Sequence, residues 1–195
     1  MRAVDLPGAR LRYAERAYPI VRADALFSSL RAEIRWRQHR LHLFGREVNA
    51  PRLSCWIGDA DAVYTYSRTR FEPLPWTPTT TWLRDDLAAR LGIRFNSVLA
   101  NLYRDGRDSM GWHSDDEPEL GAAPVIASLS FGAARAFRVR DRATRQPVLS
   151  MDLAHGSVLV MDGDTQARYQ HALPKRAGIS EARINMTFRQ IESPS

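Results

Sequence analysis

The sequence predicts an α+β fold, a double-sheet jelly roll with helices supporting one face. Two stretches of helical spacing come early, and after residue 92 the apolar pattern switches to period two, in short runs separated by turns that contain Gly106, Gly121, Gly132, Gly156 and Gly178. Length agrees with this. At 195 residues and 44% hydrophobic, the chain suits one domain, 1–195, large enough to bury a core.

Taken in order, residues 1–20 carry Pro7, Gly8 and Pro19 among scattered charges, which predicts an extended lead-in with at most one short strand near Leu11–Tyr13. From Asp24 to about Arg37 a helix is expected: Asp24 can cap it, and Leu26, Phe27, Leu30 and Ile34 recur at helical spacing. His39 to Val48 reads as a hairpin turning at Gly45. Its apolar tip residue Phe44 is either tucked into core or offered as a wedge between bases. Val63–Tyr66 alternates, so Tyr64 and Tyr66 share a face, suited to core or to a pocket wall that satisfies their hydroxyls. A prolyl stretch from Pro73 to Pro78 precedes a second helix from about Thr80 to Leu91, with Trp82, Leu83, Leu87 and Leu91 apolar and Gly92 as its stop. The strand runs are Ser97–Tyr103, Val125–Phe131, Ala136–Val139, Val148–Leu153, Ser157–Met161 and Arg183–Phe188.

The formal charge is +6, and the surplus sits at the front, where residues 1–49 hold ten Arg against five Asp or Glu. Lys175 is the one lysine, so this is an arginine surface, the footprint expected of a phosphate-backbone partner or simply of arginine-rich usage. Cys55 stands alone, which excludes a disulfide framework or a cysteine zinc site within the chain. No apolar run approaches the roughly 20 residues of a membrane span. A soluble, cytoplasmic protein is expected.

Chemistry concentrates between His113 and Arg189. In Gly111-Trp112-His113-Ser114-Asp115, a His and an Asp two residues apart point the same way on extended backbone, and His171 can complete three ligands on one face of a metal. That leaves coordination positions open. The run Arg183-Ile184-Asn185-Met186-Thr187-Phe188-Arg189 alternates strictly, placing Arg183, Asn185, Thr187 and Arg189 on one surface. Two guanidinium groups there suit a dicarboxylate. Asn101 and Tyr103, two apart on one strand, face the same way. His155, in Ala154-His155-Gly156-Ser157, has no ligand company nearby and reads either as a turn histidine or as one that supports a ligand from behind.

Asn101-Leu102-Tyr103, His113 to Glu117, Ile126 to Gly132, Ala154 to Ser157, His171 and Arg183 to Arg189 together resemble the AlkB family of Fe(II)/2-oxoglutarate dioxygenases, over roughly residues 40 to 191. Phe44-Gly45, Gly58-Asp59-Ala60 and Tyr64-Thr65-Tyr66-Ser67 resemble the homologues that repair duplex DNA. The resemblance implies a double-stranded β-helix over residues 93–191, preceded at 1–92 by an N-terminal extension, helices and nucleotide-recognition hairpins that form a lid. It implies Fe(II) on His113, Asp115 and His171, with O2 and the co-substrate 2-oxoglutarate. The far carboxylate of 2-oxoglutarate would pair with Arg183, supported by Asn101 and Tyr103, with Arg189 near the chelating end and Asn185 and Thr187 assisting. No further catalytic group is implied. Tyr64, Tyr66, Phe44 and Glu117 become candidate contacts to an alkylated base, 1-methyladenine or 3-methylcytosine in type, extruded from duplex DNA. The implied reaction is oxidative demethylation releasing formaldehyde, by a monomer. Competing readings are an RNA or single-strand demethylase, a nucleic-acid binding module without catalysis, and a protein or small-molecule hydroxylase. Trp112, Ser114 and the first forty residues map onto nothing in the family pattern.

Overall fold

The computed structural model describes residues 1–43, 46–66 and 69–192, without the side chains of 41–43, 64–66 and 69–71. In chain order the elements are β1 (Arg2–Val4), β2 (Ala9–Ala14), α1 (Ile20–Glu33), β3 (Arg40–Leu43), β4 (Arg46–Asn49), β5 (Leu53–Gly58), β6 (Tyr64–Tyr66), β7 (Thr69–Phe71) and α2 (Pro78–Leu91). There follow β8 (Ser97–Tyr103), β9 (Met110–His113), a 3-10 turn (Pro118–Leu120), β10 (Ile126–Gly132), β11 (Arg135–Asp141), β12 (Pro147–Leu153), β13 (Ser157–Gly163), α3 (Thr165–Arg168), β14 (Tyr169–Leu173) and β15 (Arg183–Arg189).

The strands form a seven-stranded sheet in the order β1-β2-β13-β10-β15-β8-β5 and a four-stranded sheet in the order β12-β11-β14-β9, with β3-β4 and β6-β7 as separate hairpins. Alternation along β15 decides the layering. Ile184, Met186 and Phe188, each fully buried, pack beneath the helices with Leu26 and Leu30 of α1 and Leu83 and Leu87 of α2. The opposite face of the large sheet meets the small one across Leu11, Tyr13, Ile126, Phe137, Val139, Leu153 and Met161. An α+β jelly roll is thus what the structure contains.

Differences lie mostly ahead of residue 93. The lead-in holds two strands rather than at most one: β2 pairs with β13 from Ala14↔Val158 to Ala9↔Gly163, burying Leu11 and Tyr13, and β1 adds the sheet edge. The strand expected near Leu11–Tyr13 is thus β2, extended at both ends, and β1 is the addition. The first helix begins at Ile20, four residues before Asp24, because Pro19 ends the extended entry and the Tyr18 N–H is held by Gly156 O at 3.0 Å. Asp24 therefore sits inside the helix, its carboxylate 3.2 Å from His155 Nε2, instead of capping. Helix α1 stops at Glu33, and Ile34 is buried from extended backbone.

Helix α2 starts two residues before Thr80, where Thr77 and Thr80 form a reciprocal capping box ahead of Pro78, and ends as expected on left-handed Gly92 with φ 69°. Its Trp82 stays 38% exposed beneath the Arg22 guanidinium, 4.3 Å above the ring. The strand runs are found, Ser97–Tyr103 to the residue and the others with an end moved by one or two, and β3-β4 pairs as the expected hairpin. β5, β7, β9, β14 and the short helix α3 were not anticipated. Among the described residues no helix is long and apolar enough to cross a membrane.

Candidate metal and co-substrate site

The small sheet brings the histidines together. His113 ends β9 and lies directly opposite His171 on β14, their ring centroids 4.2 Å apart. His113 Nδ1 lies 2.9 Å from Gly111 O; a carbonyl only accepts, so this nitrogen carries a proton and Nε2 is the ring atom left to serve a metal. β9 stops at His113, so Asp115 is presented from irregular backbone rather than from the continuing strand its spacing suggested. It is buried nonetheless, Oδ1 accepting from Arg189 Nη2 at 2.6 Å and Oδ2 lying 3.7 Å from His171 Nε2. The three candidate ligand atoms all fall within 4.8 Å of one another.

Electrostatics prepares this cluster for a cation. Burial foremost, then the neighbouring His113, pulls the His171 imidazole down to about 3, so it is neutral with a lone pair to give. Burial alone would raise Asp115, but the Arg189 guanidinium, which also donates to it, holds it below the usual carboxylate range. Two imidazoles and one carboxylate make a donor set suited to Fe(II).

From this cluster a cavity of about 40 Å³ runs between the sheets, lined by His113, Asp115 and His171 and by Asn101, Tyr103, Arg183, Asn185, Thr187 and Arg189. Arg183 is 2% exposed. Its Nη2 donates to Ser130 Oγ at 2.8 Å, Tyr103 lies with its ring centroid 5.4 Å from the guanidinium, and no carboxylate pairs with it among the described residues. Nε and Nη1 find no hydrogen-bond partner there, and burial pulls the group down to about 10. A buried cation left this way is costly unless an anion joins it. Asn101 accepts from Arg52 Nε at 3.0 Å; Asn185 donates to Ser128 Oγ and Leu129 O and accepts from Thr187 Oγ1 at 3.1 Å.

Of the base-contact candidates, Glu117 alone has a described side chain. Phe44 lies outside the described residues, and Tyr64 and Tyr66 are placed by backbone only, on β6 opposite Phe71 and Thr69. Glu117 leads into the 3-10 turn, half-buried and off the cavity wall, while Asp116 is ion-paired with Arg142 at 2.6 Å. His155 is a turn residue, Nδ1 accepting from the Gly132 N–H. Part of the frontal arginine surplus is engaged within the chain: Arg10 and Arg12 bridge to Asp162 and Arg40 to Glu47.

Residues that the sequence did not single out hold the site in shape. Arg135, 1% exposed, donates to the backbone oxygens of Asp105, Asp108 and Pro174. Gln166 and Ser114 secure the backbone around Asp115. Trp112 faces outward, 37% exposed, with the Arg140 guanidinium 4.5 Å from its ring centroid.

Three protein ligands leave a metal with positions to spare, and a buried cation at the far end of the same cavity calls for a dicarboxylate; iron oxygenases that consume a 2-oxo acid are the class built this way. Comparison with known proteins agrees. The model of the 2OG-Fe(II) oxygenase superfamily matches residues 11–189. The alpha-ketoglutarate-dependent dioxygenase alkB homolog 3 of Bos taurus is 42% identical over 178 residues, covering 87% of this chain and 62% of that protein. The DNA oxidative demethylase ALKBH2 of Homo sapiens is 39% identical over 179 residues, 87% of this chain and 69% of that one. The solved structure of OsALKBH1 superposes with a TM-score of 0.64 at 16% identity, covering 96% and 98% of the two chains, which bears on the fold. This chain belongs to the 2OG-Fe(II) oxygenase superfamily and, within it, to the AlkB family. It spans 62% of the length of the alkB homolog 3 protein it matches.

Proposed function

We propose that the chain is an oxidative demethylase of N-alkylated bases in DNA, acting on duplex as a monomer, with Fe(II), 2-oxoglutarate and O2. The observation that carries the chemistry is the pairing, in one cavity, of the His113–Asp115–His171 cluster with an arginine, Arg183, that lacks a carboxylate partner among the described residues. The relatives' names carry the substrate class.

His113, Asp115 and His171 would hold the iron. Arg183, with Asn101 and Tyr103 beside it, would take the far carboxylate of 2-oxoglutarate, the charge-assisted fork giving both strength and direction. Arg189 orients Asp115 from the other side. Such a centre, when loaded, supplies hydroxylation of an N-methyl group coupled to conversion of 2-oxoglutarate and O2 into succinate and carbon dioxide, after which the hemiaminal sheds formaldehyde. The chain's own part is placement and dryness: Phe137, Leu153 and Met161 line the cavity with apolar surface. Tyr64, Tyr66 and Glu117 are proposed base contacts and Phe44 a wedge that helps extrude the nucleotide. A base with a blocked pairing edge unstacks more cheaply, which supplies part of the selectivity.

The test is anaerobic reconstitution with Fe(II) and 2-oxoglutarate, then air, with duplex and single-stranded oligonucleotides carrying 1-methyladenine. Methyl loss matched by formaldehyde is expected, faster on duplex, and Phe44→Ala should slow duplex more than single strands. Equal losses on both would remove the wedge; a single-strand or RNA preference would replace the duplex assignment. Succinate formed while every methyl remains would keep the co-substrate site and discard the DNA substrate.

A further inference from the structure

We propose that Gln166, seconded by Ser114, is a positioning residue of the metal centre: it fixes the backbone of Asp115 so that the carboxylate faces the metal, and thereby sets how tightly the metal is kept. This rests on His113, Asp115 and His171 being the ligands. Asp115 lies two residues past the end of β9, where no ladder holds it. Its N–H donates instead to Gln166 Oε1 at 2.9 Å, and one residue earlier Ser114 Oγ donates to Tyr169 O at 2.9 Å. Both acceptors belong to the run α3–β14, which also carries His171. One segment thus places the second histidine through its own strand and the aspartate through two hydrogen bonds, so the distal ligand and the carboxylate move as a unit.

Gln166 is built for this task. It is 2% exposed, and its Nε2 points to Met161 Sδ at 3.8 Å. Reversing the amide would aim an N–H at the Asp115 N–H, so the acceptor end faces the aspartate on chemical grounds. Helix α3 is itself anchored, Thr165 Oγ1 donating to Asp162 O while Arg10 and Arg12 of β2 bridge the Asp162 carboxylate. Partners that orient a metal ligand usually act on its side chain. Here the carboxylate is addressed by Arg189 and the backbone by Gln166, a division that irregular backbone at Asp115 makes necessary.

The test titrates metal-free protein with Co(II) in the absence of co-substrate, following heat and the Co(II) absorption bands together, with the melting temperature of each metal-free variant as control. Gln166→Met, similar in size but lacking the acceptor, should bind Co(II) roughly 10–100-fold more weakly and with altered bands. Gln166→Glu, which keeps an acceptor oxygen at the same reach, should recover most of the affinity. Ser114→Ala, at a half-buried position, should weaken binding by about threefold. Wild-type affinity and bands in both Gln166→Met and Ser114→Ala would overturn the proposal. Should Gln166→Met fail to fold, Ser114→Ala decides, and unchanged Co(II) binding there would overturn it as well. Wild-type protein that takes up no Co(II) would instead remove the ligand assignment, and this role with it.

Discussion

The two ends of the cavity are built by opposite means. At the co-substrate end a single regular strand, β15, keeps unbroken register with β8 from Arg183↔Tyr103 to Arg189↔Ser97 and with β10 on its other side, so its side chains are aimed by the ladder itself. At the metal end β9 is a short edge strand whose pairing with β14 shifts between His171 and Leu173, and Asp115 hangs beyond it on side-chain tethers. Regular backbone aims a row of identical contacts well. Three ligands converging on one point need departures from it, and those departures must be held by individual hydrogen bonds.

If this contrast is right, the metal end should be the more sensitive. His113→Ala removes a ligand outright and should reduce turnover by more than the roughly 10–100-fold typical of losing a ligand's outer partner, with metal affinity lost alongside. Metal uptake at wild-type affinity would break the assignment. At the other end, Arg183→Met should weaken 2-oxoglutarate binding by about tenfold to a hundredfold, the worth of charge-assisted hydrogen bonds, while metal uptake persists. Arg183→Lys should recover only part, since the ammonium lacks the fork. The same substitution sharpens the comparison through stability. Without co-substrate, Arg183→Met should raise the unfolding free energy by about 1 kcal/mol or more, because it removes a buried charge that has no carboxylate partner; a fall would mean the guanidinium is satisfied by the protein alone. The smallest effect belongs outside both ends. Thr77→Ala should cost about 1 kcal/mol of stability through the lost capping box and leave 2-oxoglutarate binding as it was, as calorimetry would show.

What was legible in the sequence follows the same division. The β15 face could be read directly, because strict alternation is its own signal and all of Arg183, Asn185, Thr187 and Arg189 reach the cavity. Strand β8 was legible to the residue for the same reason. The candidate metal ligands could be named from the His-x-Asp pattern together with His171, yet β9 and β14, which carry the histidines, escaped notice: four or five residues containing Gly111 or Gln170 offer too few alternations to stand out. Gln166 and Arg135 were invisible because their roles are long-range contacts to backbone atoms 51 residues away in the first case and up to 39 in the second. Of the N-terminal strands, β2 was expected only as a short strand near Leu11–Tyr13 and β1 not at all, because Arg10 and Arg12 interrupt the apolar pattern and the burial of Leu11 and Tyr13 depends on β13, far along the chain.

The most direct measurement is an anaerobic calorimetric titration of 2-oxoglutarate into wild-type, His113→Ala and Arg183→Met protein, each with and without Fe(II). One 2-oxoglutarate per chain is expected, bound tightly by wild type only when Fe(II) is present, and weakly in either variant. Tight binding without metal, or undiminished binding in Arg183→Met, would contradict a cavity that holds the metal at one end and the dicarboxylate at the other.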